Sequence, residues 1–145
     1  MMKKKVRGIA RDTLHFILEA SRSSEPNEFA GLLSVEGDII SDVIILPGTE
    51  SSRMSALVRL YMLPNMSVAG SAHSHPSGLL RPSEPDILFF SRTGDYNIIG
   101  PPYDESAWIC YDGAGKRRDL PVLDVDFKDD GFDDEFDEDM DEPFR

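Results

Sequence analysis

The apolar residues Ile9, Ala10, Leu14, Ile17 and Leu18 recur at helical spacing, so residues 8–22 are predicted to form an amphipathic helix. The polar run Ser21-Arg22-Ser23-Ser24-Glu25-Pro26-Asn27 should end it. Glu28 to Val35 is then mostly apolar and of strand length. Glu36-Gly37-Asp38 has turn chemistry, and Asp38 to Leu46 is rich in β-branched residues, so the two runs predict a hairpin. Ser55 to Leu63 fits a strand or a helix, because short apolar runs do not separate the two. Met66 to Ser74 mixes small and apolar residues and predicts a buried strand, stopped by Pro76. Ser83 is a favoured N-cap, Pro85 suits a first helical turn and Gly94 suits a stop, which predicts a helix from Ser83 to about Thr93. Tyr96–Ile99 and Ala107–Tyr111 predict two more strands, on either side of Pro101-Pro102-Tyr103-Asp104-Glu105. After the turn Asp112-Gly113-Ala114-Gly115, Lys116 to Val125 is expected to return as a last strand. Helices interspersed with strands in this way indicate an α/β sandwich built on a mixed sheet.

Composition changes that picture at one end only. The 145 residues suit one domain with its own core, and 40% of them are hydrophobic. The formal charge of −12 is concentrated: residues 124–145 hold 12 of the 27 acidic residues and 2 of the 15 basic ones, which leaves the body at −2 and the tail at −10. The expected division is therefore a domain over residues 1–123 and an acidic, disordered tail over residues 124–145. No basic, aromatic-studded patch points to nucleic acid. The basic start of the chain leads into a charged helical pattern rather than an apolar h-region, so no signal peptide is read there. No run approaches the length of a membrane span. The single cysteine, Cys110, allows neither an internal disulfide nor a thiolate zinc cluster, and a cytoplasmic location is expected.

Candidate chemistry lies in His73-Ser74-His75-Pro76-Ser77-Gly78-Leu79-Leu80-Arg81-Pro82-Ser83-Glu84-Pro85-Asp86. Residues i and i+2 of an extended chain point the same way, so His73 and His75 can present two imidazoles to one point. Asp86 follows in the first turn of the next helix and can be folded back. Two imidazoles and a carboxylate make three zinc ligands and leave a fourth tetrahedral position open for water, the pattern of catalytic zinc. Amide hydrolysis also needs a proton carrier, for which Glu28, at the mouth of a buried strand, is the candidate. Ser83 shares a helix face with Asp86 and is the candidate donor to an oxyanion. Each element has an ordinary reading as well. Ser-x-x-Asp ahead of an apolar run is a helix-capping signature, and a lone strand-end glutamate is usually solvated. Arg81 could meet a substrate or merely a surface partner, while Trp108 and Cys110 alternate as core residues would. A cysteine protease or a zinc nucleobase deaminase has no support, since neither a nucleophile signature nor Pro-Cys-x-x-Cys is present.

The segment resembles the JAMM (MPN-plus) metalloproteases, whose motif is an upstream Glu, then His-x-His-Pro, six residues, and Ser-x-x-Asp. Glu28, His73, His75, Pro76, Ser83 and Asp86 fill every position at that spacing. Glu28-Phe29-Ala30-Gly31-Leu32-Leu33 is similar to the segment around the family's glutamate, and the likeness extends over roughly residues 8–120. The chain looks like the short prokaryotic, especially archaeal, type. The resemblance implies a single JAB1/MPN-like domain, a mixed β-sheet flanked by helices in a cytidine-deaminase-like sandwich. It implies one Zn2+ ion on His73, His75 and Asp86, Glu28 as general acid/base and Ser83 as oxyanion stabiliser. It also implies isopeptide or peptide cleavage after the C-terminal Gly-Gly of ubiquitin-like proteins, with their conjugates or precursors as partners and no nucleic acid or membrane. Two other readings remain from different classes: a catalytically silent MPN-type scaffold, which would not need the ligand set, and a zinc amidohydrolase acting on a small amide.

Overall fold

The alternation of side chains along a buried strand requires a covered surface on both sides, and here two helices provide it. A computed structural model of the protein describes residues 5–46, 68–75, 79–100 and 107–125. In chain order its elements are β1 (Gly8–Ala10), α1 (Arg11–Ser24), β2 (Ala30–Glu36), β3 (Ile39–Ile45), β4 (Val68–Ser74), α2 (Glu84–Thr93), β5 (Tyr96–Gly100), β6 (Ile109–Tyr111) and β7 (Val122–Leu123). The strands form one sheet in the order β6-β5-β4-β2-β3-β1-β7. The β4–β5, β1–β3 and β1–β7 pairs are parallel and the others antiparallel, so the sheet is mixed, as expected. The α/β class, with helices flanking such a sheet, is what the hydrophobic pattern implies.

The core follows the strand alternation. Leu14, Ile17 and Leu18 of α1 pack with Ile9, Leu33, Ile40 and Ile98 on one face of the sheet. On the other face Phe89 of α2 packs with Ala30 and Leu32, and Phe90 packs with Ile99 and Tyr111. Each such fully buried large side chain contributes about 1.5–3 kcal/mol. A buried polar cluster ties α2 to the sheet: Asn97 Oδ1 accepts from Ser71 Oγ and Thr93 Oγ1, both at 2.7 Å, and its amide donates to the carbonyls of Gly94 and Tyr111. Gly70 is needed where β4 runs beside β5, since a Cβ there would stand 1.7 Å from the Tyr96 carbonyl oxygen.

Several element boundaries depart from expectation. Residues 8–10 are a strand, not the first turn of α1. Ile9 donates its N–H to the Pro121 carbonyl, and the Gly8–Ala10 triplet is held between β3 and β7, a long-range pairing that overrides the helical spacing. At its other end α1 runs through Ser21–Ser24 instead of stopping, and the Ser21 and Ser24 hydroxyls find their partners within the helix by donating back to the Ile17 and Ala20 carbonyls. The hairpin forms with its turn at Gly37, whose φ of +67° favours glycine. The last predicted strand contracts to Val122–Leu123, preceded by an isolated bridge from Arg117 to Tyr111. The run Ser55–Leu63, Pro101–Glu105 and the tail beyond residue 125 lie outside the described residues. Among the described residues, no helix is long and apolar enough to cross a membrane.

Candidate active site

His73 lies on the α2 face of β4, and its ring packs edge-on to Phe89 (centroids 5.3 Å apart) and at a tilt to Phe90 (5.9 Å). His75 follows the end of β4, where its N–H donates to the Gly100 carbonyl at 3.1 Å and continues the extended path. Its Nδ1 stands 2.7 Å from the Leu79 carbonyl oxygen. A carbonyl only accepts, so Nδ1 carries the proton, and in the neutral ring the lone pair sits on Nε2. That Nε2 faces Asp86 Oδ2 at 3.2 Å. Two acceptor atoms held this close need a proton or a cation between them.

Asp86 is placed by the start of α2. The Ser83 hydroxyl accepts the Asp86 N–H at 3.2 Å, and the Ser83 N–H donates to Asp86 Oδ2 at 2.9 Å, a reciprocal capping box. The capping reading of Ser-x-x-Asp holds, and the cap is what aims the carboxylate at His75. Its bond from Asp86 does not use the Ser83 hydroxyl proton, and Ser83 is exposed. Burial pushes the Asp86 carboxyl up, but hydrogen bonds from His75 and Ser83 together with the nearby charge of His73 outweigh it and hold the group at about 2. Conversely, the hydrogen bond to Asp86 raises the His75 imidazole above its ordinary 6.5. Burial opposes that shift, and the Leu79 carbonyl and the charges of Asp86 and Glu28 add to it.

Glu28 comes to this place through sheet register. Ala30 pairs with His73 in the antiparallel β2–β4 ladder, and two more steps along the same register set Glu28 opposite His75. Ser74 secures that extension. Its N–H donates to the Phe29 carbonyl at 3.0 Å, and its buried hydroxyl accepts the Phe29 N–H at 2.7 Å. Glu28 itself is exposed at the mouth of the strand. Ser74, which looks like a mere spacer between two histidines, is therefore the fastening between the Glu28 segment and the histidine segment.

The residues singled out by spacing do not all meet in the same way. His75 and Asp86 are in contact, and Glu28 acts electrostatically on His75. His73 turns its ring onto α2, and among the described residues no three His, Cys, Asp or Glu side chains are gathered as a ready-made metal cage. The donor chemistry nonetheless suits a divalent cation with nitrogen and oxygen ligands: a carboxylate held ionised, and an imidazole whose other nitrogen is bonded to a backbone carbonyl, as metal-ligating histidines usually are. Arg81 is exposed on the segment before α2. Cys110 is buried and its thiol is pushed up to about 12, mainly by burial, so it is not a nucleophile near neutral pH. The Leu79 carbonyl had no signal in the sequence, because a backbone acceptor is independent of residue type.

Among the described residues, a mixed sheet with a helix on each face, and a His-x-His strand meeting a helix-capping aspartate, define a JAB1/MPN-like α/β domain. Residues 10–119 match the family described as prokaryotic homologs of the JAB domain, and the chain belongs to that family. A Haloferax volcanii protein named a probable metalloprotease is 44% identical over 137 residues, spanning 87% of this chain and 85% of that protein. The crystal structure of a JAB1/MPN domain protein from Archaeoglobus fulgidus superposes with a TM-score of 0.66 at 40% identity, covering 85% of this chain and 100% of that one. A structure described as JAMM, a metalloprotease-like zinc site in the proteasome and signalosome, gives a TM-score of 0.65 at 38% identity, covering 83% of this chain and 100% of that one.

Proposed function

We propose that the chain is a zinc metalloprotease, an isopeptidase or peptidase that cleaves after the C-terminal Gly-Gly of ubiquitin-like proteins in the cytoplasm. The observation that carries this reading is the contact between His75 Nε2 and Asp86 Oδ2, with Nδ1 committed to the Leu79 carbonyl and Glu28 in register opposite. The probable metalloprotease of Haloferax volcanii and the JAMM zinc-site structure support it from outside the chain. His73, His75 and Asp86 would hold one Zn2+ ion. Bound there, zinc supplies polarisation of the scissile carbonyl and activates water near neutral pH.

The chain's own groups then divide the work. Glu28, at the mouth of β2, takes a proton from the attacking water and returns one to the leaving amine. Ser83 donates its hydroxyl proton to the oxygen that becomes negative as the carbonyl carbon turns tetrahedral. The capping box keeps the Ser83 oxygen and the Asp86 carboxylate at a fixed separation while this happens. Conjugates or precursors of a ubiquitin-like protein are the partners this chemistry serves.

The test is to measure bound zinc in the purified chain and in Glu28→Gln, then offer both a ubiquitin-like conjugate joined through Gly-Gly. The wild type should hold zinc and cleave, and Glu28→Gln should hold zinc and lose about 100-fold or more of the rate. A wild type that holds zinc and cleaves no such conjugate would sink the isopeptidase assignment in favour of a small-amide hydrolase or a silent scaffold. Full activity in Glu28→Gln would remove Glu28 as the proton carrier.

A further inference from the structure

Asp86 and Thr93 are seven residues apart on α2, so they share a helix face to within about 20° and lie about 10 Å apart along the axis. Ser71 and His75 are four apart on the extended path of β4 and also share a face, about 13 Å apart. The helix and the strand therefore meet at three levels. At one end His75 faces Asp86, in the middle His73 packs on Phe89 and Phe90, and at the other end Ser71 reaches Thr93 through Asn97. The middle level is ring against ring, and Ile87 adds apolar contact over Gly115. Apolar contact of this kind is non-directional and holds α2 on the sheet without fixing its position along β4 to a fraction of an ångström. The Asn97 level is directional. The carbonyls of Gly94 and Tyr111 only accept, so the amide nitrogen faces them, and Oδ1 takes the Ser71 and Thr93 hydroxyl protons, both at 2.7 Å. Every hydrogen bond that the amide can make is thus made, at a residue with no exposed surface.

We infer that Asn97 is a positioning residue that sets the register of α2 along β4, and with it the placement of Asp86 against His75. Fully satisfied buried networks rigidify the elements they join, and this one joins α2 to β4, β5 and β6. Asp86 has little freedom to make good a shift of the helix, because the capping box ties its Oδ2 to the Ser83 N–H. A site built from two elements has to be held to within about 0.5 Å. Partners bonded directly to metal ligands are worth about 10- to 100-fold in metal affinity, so a residue acting through a helix belongs at the lower end, about 10-fold. That consequence for metal rests on the zinc reading, whereas the register does not.

The test compares the full-length wild type with Thr93→Val, Thr93→Ser, Asn97→Leu and Ile17→Val. Thr93→Val keeps the shape and removes the hydroxyl, and Thr93→Ser keeps the hydroxyl. Asn97→Leu removes the amide at similar volume. Ile17→Val loosens the core on the other face of the sheet and controls for lost stability. Zinc affinity is read by competition with a chromophoric chelator, well below each melting temperature. Crystals of the metal-free proteins give the position of the Asp86 Cα relative to the His75 Cα. Zinc should bind about 3-fold more weakly to Thr93→Val and about 10-fold more weakly to Asn97→Leu. In both, α2 should be displaced along β4 by about 0.5 Å or more. Thr93→Ser should restore affinity and register, and Ile17→Val should keep both while melting lower. Unchanged register in Thr93→Val and Asn97→Leu overturns the inference, as does an affinity loss in Ile17→Val equal to that in Thr93→Val. If Asn97→Leu does not fold, Thr93→Val against Thr93→Ser decides. If the wild type binds no zinc, the functional assignment fails, and the crystallographic register alone decides the role of Asn97.

Discussion

Ser74→Ala isolates the fastening between the Glu28 segment and the histidine segment. The change keeps Cβ and removes one oxygen, so it opens almost no cavity. It removes the acceptor of the Phe29 N–H, a bond of 2.7 Å at a residue with no exposed surface. A buried donor left without its acceptor costs about 1–3 kcal/mol. For a domain of this size that corresponds to a fall in Tm of roughly 3–12 °C. The Ser74 N–H to Phe29 carbonyl bond survives, so the ladder should fray at its end and not unzip. Fraying at Phe29 would move Glu28, and a displacement near 1 Å at the proposed proton carrier would cost about 100-fold in rate. Thermal melting of the metal-free chain and single-turnover cleavage of a Gly-Gly conjugate measure the two effects. Ser74→Thr, which restores the hydroxyl, should recover most of both. A Ser74→Ala protein that melts within about 1 °C of wild type and cleaves at the wild-type rate would refute the coupling.

Three other outcomes follow from the same contacts. On the proposed ligand set, zinc would compete with a proton for His75, whose pKa is raised above 6.5 by its contact with Asp86, so zinc affinity should climb as pH rises through the folded value and then level off. In the metal-free chain, by contrast, the stability His75 contributes is fully present below about 6.5 and is lost as pH rises through its folded value, whereas the part from Asp86 is lost only as pH falls from 3.8 toward about 2. Competition titrations and melting curves from about pH 5 to pH 9 read both, and zinc affinity independent of pH would contradict the ligand set. Gly70→Ala should cost about 3 kcal/mol or more in chemical denaturation, because its methyl would meet the Tyr96 carbonyl oxygen and force β4 from β5; near-wild-type stability would mean that the two strands part easily. Alkylating reagents should leave the native protein unmodified at Cys110 at neutral pH, with retained cleavage; rapid labelling in the folded state, read by mass spectrometry, would show that the burial is not maintained.

What could be read in the sequence and what could not divide along physical lines. Local signals survived folding: Gly37 turns the hairpin, Ser83 caps α2, and the small and apolar residues of Val68–Ser74 form the buried strand that carries His73. Long-range pairings did not show in the pattern. The Gly8–Ala10 strand exists because Pro121 and Leu123 lie beside it more than a hundred residues later, and the serines that seemed to end α1 instead bond back into it. The site divides in the same way. The spacing of His73, His75, Ser83 and Asp86 was legible because a strand and a helix start impose it. Glu28 could be placed opposite His75 only once the β2–β4 register was known. The Leu79 carbonyl contributes as a backbone oxygen, which leaves no mark in residue type.

The most direct measurement is a crystal structure of the zinc-loaded full chain, with the metal located by anomalous scattering at the zinc edge. Zinc should sit on an imidazole nitrogen of His73, Nε2 of His75 and a carboxylate oxygen of Asp86, at about 2.0–2.2 Å, with one non-protein oxygen completing a tetrahedron near Glu28. A metal closed off by four protein ligands, or a metal bound elsewhere while His73 stays against Phe89, would contradict it.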